Sequence, residues 1–236
     1  MSIIATEKFM IDVQTDKLYE SVQVSSDRLS DFFQFLKTKA ACFSLECYYF
    51  GKLTKEEYAG IKEEGKRFLD SQYEAYKNNT NGYRDSLEDT FEITTEKEAE
   101  KYFKEMRKDY KNNILVEAKR QKGNDPRIDE NKMKEIGMSE CRMTCNTPST
   151  MGGARMICYF PAEHLDSIVG NMTNLYDYIN LDGFEFENLT CYEDGSHSED
   201  SDFYVTITHE SYSSLCIGHE EYEELIDKGI LVSCET

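Results

Sequence analysis

The sequence predicts an α+β fold, with mixed or antiparallel sheets and helices, on three observations. Apolar residues recur at i, i+3, i+4 and i+7 in several long stretches, the mark of amphipathic helices. Short runs rich in β-branched and aromatic residues, bounded by Gly, Pro, Asn or Asp, stand between them as strands. Hydrophobic residues make up 39% and aromatics 12% of the 236 residues, enough to build a core and to set disorder aside.

The elements follow in chain order. Residues 7–14 and 41–50 read as strands, and the second (ACFSLECYYF) is apolar enough to be central. Between them Leu29, Phe32, Phe33 and Leu36 mark a helix over 26–38. Thr54 and Glu57 match a capping box, in which two side chains satisfy backbone N–H groups that the first helical turn leaves open. The helix they start runs to about Lys77 on a stripe of Tyr58, Ile61, Phe68, Leu69, Tyr73 and Tyr76. Gly65 lies on that stripe and permits a close neighbour. Asn78 to Gly82 end the helix. A second capping box, Thr95 with Glu98, starts a helix to about Lys111 whose apolar face is Ala99, Tyr102, Phe103, Met106 and Tyr110. Lys97, Lys101, Lys104, Lys108 and Lys111 lie opposite. Glu100 and Glu105 temper that ridge, so it reads as a solvated face before a phosphate-binding one. Residues 113–120 read as a strand, 122–131 as a linker or exposed loop, 131–136 as a short helix and 146–153 as another loop.

In the last third, residues 154–160 read as a buried strand, and Pro161 opens a helix to about Asn180 on Leu165, Ile168, Val169, Met172, Leu175, Tyr176 and Ile179. Strands near 183–192, 202–209 and 213–217 follow, then a helix over 219–228 and a last strand from Ile230 to Cys234. That order predicts a ferredoxin-like β-α-β-β-α-β unit. The expected organisation is an N-terminal α+β part at 1–122, a loop-rich connection at 123–153 and a C-terminal module at 154–236.

Charge divides the chain unevenly. Residues 1–155 hold 28 acidic and 26 basic residues, a net of −2; residues 156–236 hold 18 acidic residues and one basic, Lys228, a net of −17. Exposed like charges are screened beyond about 8–10 Å, so a fold tolerates this density. The asymmetry points to a basic partner, and it disfavours nucleic acid as a ligand of the last third, where phosphates would meet like charge. Two clusters carry most of the acid. The loop from Glu193 to Asp202 holds Glu193, Asp194, Glu199, Asp200 and Asp202 around His197. It lacks the fixed ligand spacing of an EF-hand and reads as a solvated loop tip or a protein contact, with a loose Ca²⁺ or Mg²⁺ site as the lesser option. The final helix carries Glu220, Glu221, Glu223, Glu224 and Asp227. Glu220, Glu223, Glu224 and Asp227 share one side, with Tyr222, Leu225 and Ile226 facing inward.

No enzyme motif stands out. Walker A, G-x-G-x-x-G, G-x-S-x-G and H-E-x-x-H patterns are absent. The eight cysteines include no C-x-x-C pair, and the N-terminal residues carry Glu7, Lys8 and Asp12 without an apolar leader. No apolar run approaches the ~20 residues of a membrane helix. The expected compartment is the cytosol, with reduced thiols. All four histidines, His164, His197, His209 and His219, fall in the last third.

The function expected is therefore a non-enzymatic interaction protein. Its carboxylates, at the ten acidic positions of the two clusters, would occupy Lys and Arg pockets on a partner built for nucleic acid. The heavy use of Lys, Asn, Ile and Tyr suits an AT-rich coding sequence. It extends the expectation to a phage or mobile-element inhibitor of a host nuclease or CRISPR effector, acting in the host cytosol without a cofactor. The alternative is an enzyme whose divalent metal is held by His197, His209 and His219 with nearby carboxylates.

Overall fold

The structure, a computed structural model, describes residues 10–11, 17–21, 23–49, 53–110, 128–145, 154–197 and 201–232. Among the described residues the strands run in chain order as β1 (Met10–Ile11), β2 (Lys17–Ser21), β3 (Gln23–Val24), β4 (Cys42–Tyr49), β5 (Glu140–Cys145), β6 (Ala154–Pro161), β7 (Ile179–Leu181), β8 (Phe184–Tyr192), β9 (Asp202–Ile207), β10 (Tyr212–Gly218) and β11 (Leu231–Val232). The described α-helices are α1 (Leu29–Lys39), α2 (Lys55–Asn78), α3 (Tyr83–Phe91), α4 (Glu96–Asp109), α5 (Glu130–Glu135), α6 (Leu165–Val169) and α7 (His219–Asp227). The fold is α+β. The expected strand at 113–120 and the loop at 146–153 lie outside the described residues, as do most of the expected linker and most of the strand at 7–14.

The chain forms two compact units. The first comprises residues 1–47, 128–141 and 157–236, and the second comprises residues 48–127 and 142–156. Strands from the first fifty residues pair directly with the last third, β2 with β10 and β4 with β8, both antiparallel.

The main sheet has the order β1-β2-β10-β9-β8-β4-β6-β5, with β7 also paired to β8. β4 takes the middle as its composition predicted: Phe43 and Leu45 are fully buried and Cys47 nearly so. The ferredoxin-like order does not form. β8, β9 and β10 are neighbours in a meander, β4 separates β6 from β8, and β11 pairs with β3 in a separate two-stranded sheet. The cause is local on one side and distant on the other. The turn at 208–211, closed through Ser211 at φ +51°, is too short for a crossover, and β4 supplies the apolar strand that fills the central place. α1 buries Leu29, Phe32, Phe33 and Leu36; Phe32 meets Tyr204 edge-on at 5.2 Å between ring centroids, and Phe43 stacks on Phe160 at 5.2 Å.

The expected helix from Pro161 to Asn180 is also corrected. Pro161 ends β6, a single 3-10 turn covers Ala162–His164, and α6 stops at Val169. Beyond Gly170 the side chains compete for the backbone. Asp177 accepts the N–H groups of Thr173 (2.6 Å) and Asn174 (3.0 Å), and Asn174 accepts that of Tyr176 (2.6 Å). Such local bonds replace helical ones, while the apolar residues still reach the core, Leu175 and Ile179 both being buried.

The described part of the second unit is built on α2, α3 and α4. Both predicted capping boxes are formed: Glu57 N–H donates to Thr54 Oγ1 (3.1 Å), and Glu98 N–H donates to Thr95 Oγ1 (3.3 Å). α2, α3 and α4 share a core of Tyr76, Leu87, Ile93, Ala99 and Phe103. The sequence did not announce α3, which buries only Leu87 on its own length. It is held by Arg84, which donates to the carbonyls of Tyr76 (3.2 Å) and Lys77 (2.6 Å) and so satisfies the open end of α2. At the far end of the unit the Tyr110 hydroxyl donates to the Ile61 carbonyl at 2.8 Å, across Gly65.

Candidate functional site

The two units differ sharply in charge. The first carries 29 acidic and 8 basic residues, a net of −21, and the second 17 acidic and 19 basic, a net of +2. Three-dimensional grouping therefore sharpens the asymmetry beyond what the linear split gave.

α7 presents the cleanest acidic surface. It starts after Gly218, whose N–H donates to Glu221 Oε2 at 3.2 Å. Leu225 is buried and Tyr222 and Ile226 half-buried, as the periodicity required. Glu220, Glu223, Glu224 and Asp227 are all exposed. Glu224 pairs with Lys228 at 2.6 Å, and Glu223 stands 4.0 Å from His219 Nε2. Glu221 is different. It is half-buried and turned onto Lys39, and so belongs to the scaffold of the surface.

The acidic loop between β8 and β9 is fastened at its described end. Glu193 N–H donates to the Ser201 carbonyl at 2.8 Å, continuing the strand pairing past Tyr192. Asp194 accepts the Ser196 N–H at 2.8 Å. The Ser196 hydroxyl and N–H hold the Asp194 carboxyl below its ordinary range, with smaller help from Ser201 and the nearby His197. The Cys42 thiol donates to the Asp194 carbonyl at 3.4 Å. His197, at φ +55°, lays its ring on Tyr159 with centroids 3.9 Å apart and an angle of 15°. These contacts anchor residues 193–197, of which Glu193, Asp194 and Ser196 remain exposed. Asp202 is the first residue of β9 and half-buried. Glu199 and Asp200 lie outside the described residues.

Lys39, at the end of α1, joins the two clusters. Its ammonium lies 3.2 Å from Glu193 Oε1 and 3.1 Å from both oxygens of Glu221. Sequence reasoning gave this residue no part. A lysine in the last turn of a helix is ordinary, and nothing local signals partners 154 and 182 positions away.

The histidines of the metal alternative are not gathered. His197 Nδ1 is 4.0 Å from Glu140, His209 lies 3.7 Å from Glu187 and 3.8 Å from Glu210, and His219 sits against Glu223. Among the described residues no group of three or more His, Cys, Asp or Glu side chains is placed to hold a metal ion. Glu187 belongs instead to a buried polar nest around a bulge between β4 and β8. Asn188, at φ +55°, donates to Glu46 (3.0 Å) and exchanges hydrogen bonds with Thr208 (3.0 and 2.9 Å). Cys47 is pushed up to about 12 by burial and then by the carboxylates of Glu187 and Glu46; burial also raises Cys158 and Cys191. Such thiols are poor nucleophiles at neutral pH. Cys42, Cys47, Cys158, Cys191 and Cys216 are free thiols.

No helix among the described residues is long and apolar enough to cross a membrane. The chain matches no protein-family model, no curated protein and no solved structure.

Proposed function

We propose that the acidic face of the first unit docks on a basic protein surface, of the kind built to hold nucleic acid, and that the protein acts by occupying it. One observation carries the reading: Glu220, Glu223, Glu224 and Asp227 stand exposed together on α7, in a unit of net charge −21. Carboxylates on a helix pair with guanidinium and ammonium groups through charge-assisted hydrogen bonds, the same donors that would otherwise grip phosphates. A field of one sign also steers encounter and raises the association rate at low salt. An inhibitor of a nucleic-acid-handling enzyme, such as a host nuclease or CRISPR effector met by a phage protein, is the finer form of the proposal.

Affinity capture tests it. Wild type is run beside a variant with Glu220, Glu223, Glu224 and Asp227 changed to Gln or Asn, at low and at high salt. The expected result is a basic protein retained by wild type only and released by salt. Equal retention by both proteins, or retention indifferent to salt, would reduce the charge to a device for solubility.

A further inference from the structure

Lys39 is one of 8 basic residues facing 29 acidic ones in its unit, and it is the residue at which the two acidic segments meet. Its side chain is 20% exposed, and its ammonium sits 5.7 Å from the centroid of the Phe203 ring. Burial opposes the charge there, but hydrogen bonds to Glu221 and Glu193 outweigh it and raise the Lys39 pKa. Glu193 opens the acidic loop and Glu221 lies in the first turn of α7. Without a cation between them, two carboxylates drawn to one point would repel and separate.

We infer that Lys39 is a positioning residue, fastening the acidic loop to α7 so that Asp194, Glu220, Glu223, Glu224 and Asp227 present one preorganised face. The inference rests on the docking reading above for its purpose, though not for its test. A face ordered before encounter loses less conformational freedom on binding. The Glu193 backbone bond ties the loop to β9, the His197 ring ties it to β6, and Lys39 bridges the loop to α7.

Amide hydrogen exchange on the full chain, with no partner present, tests the link. Lys39→Met keeps the apolar stem and removes the charge; Lys39→Arg keeps the charge. The expected result is about tenfold faster exchange at 193–196 and 218–221 in Lys39→Met, with α1 and β4 unchanged and the effect restored in Lys39→Arg. Unchanged rates in both segments, or acceleration spread evenly through α1 and β4, would overturn the inference. Binding of an oligo-arginine peptide gives a second readout with opposed signs. Lys39→Met makes the chain more acidic by one charge, so bulk attraction predicts tighter binding, while loss of positioning predicts weaker binding. Equal or tighter binding contradicts the inference. Failure of wild type to bind the peptide counts against the docking reading and leaves the exchange rates to decide the role of Lys39.

Discussion

Replacing Gly65 by Ala tests the packing of the second unit, with a sign that reverses on a second substitution. In an exposed helix interior this change stabilises by about 1 kcal/mol. Here Gly65 is buried, and an added Cβ would lie 2.0 Å from the Cζ and hydroxyl of Tyr110. Tyr110 is 5% exposed and donates to the Ile61 carbonyl, so the ring leaves only by giving up that bond and its packing. The hydrogen bond is worth about 1 kcal/mol and a buried aromatic ring about 3–5 kcal/mol when removed. Partial retention of the packing sets the expected net cost of Gly65→Ala at roughly 2–4 kcal/mol. With Tyr110→Ala already in place, the obstacle is gone, and Gly65→Ala should stabilise by about 1 kcal/mol. Urea unfolding followed by far-UV circular dichroism, on the two single variants and the double variant, measures both numbers. A neutral or stabilising effect of Gly65→Ala alone refutes the close approach of Tyr110.

Three further outcomes follow from the first unit. Changing Glu220, Glu223 and Glu224 to Gln together should alter stability by less than about 1 kcal/mol, since the lost pairing with Lys228 is offset by relief of repulsion along the helix. Glu221→Gln alone should cost more than the triple change, because it weakens the grip of Lys39, and thermal unfolding will show the order. His197→Asn keeps a residue that tolerates positive φ but removes the ring from Tyr159. It should lower stability by about 1 kcal/mol, or about 2–4 °C for a chain of this size, and an unchanged midpoint would contradict the stack. Asp166 is held below its ordinary pKa by the hydrogen bond from Lys37 and by Gln34, and Asp177 by the Thr173 N–H and its neighbours. A carboxyl lowered in the folded state stabilises above its unfolded pKa of about 3.9 and loses that contribution as pH falls through the folded value. Asp166→Asn and Asp177→Asn should therefore flatten the loss of stability between about pH 4 and pH 2; an unchanged acid limb would show that neither bond matters.

The parts of the fold legible in the sequence were those settled within one helical turn or one strand. Thr54 with Glu57, Thr95 with Glu98, and the stripes of α1 and α4 are local devices, and each formed where its spacing placed it, whereas on α2 Ile61, Leu69 and Tyr76 are buried but Phe68 is exposed. The errors lie where distant partners decide. The periodic residues Met172, Leu175, Tyr176 and Ile179 suggested a helix, but Asn174 and Asp177 supply backbone acceptors that outbid it. Strand order was hidden because β4, distant in sequence, inserts between β6 and β8. At the candidate site the exposure of Glu220, Glu223, Glu224 and Asp227 was readable from helix period alone. The inward commitment of Glu221 and the half-burial of Asp202 were not, since the first depends on Lys39 and the second on pairing in β9.

Competition by nucleic acid tests the docking claim most directly. A complex of the wild-type protein with its captured basic partner is titrated with duplex DNA and with single-stranded RNA, at fixed salt, and release of the acidic protein is followed. The account predicts displacement by one of them at concentrations that fill the partner's nucleic-acid site, and no stable complex for the variant neutralised on α7. A complex that holds the nucleic acid and the acidic protein together, with undiminished affinity for each, would contradict it.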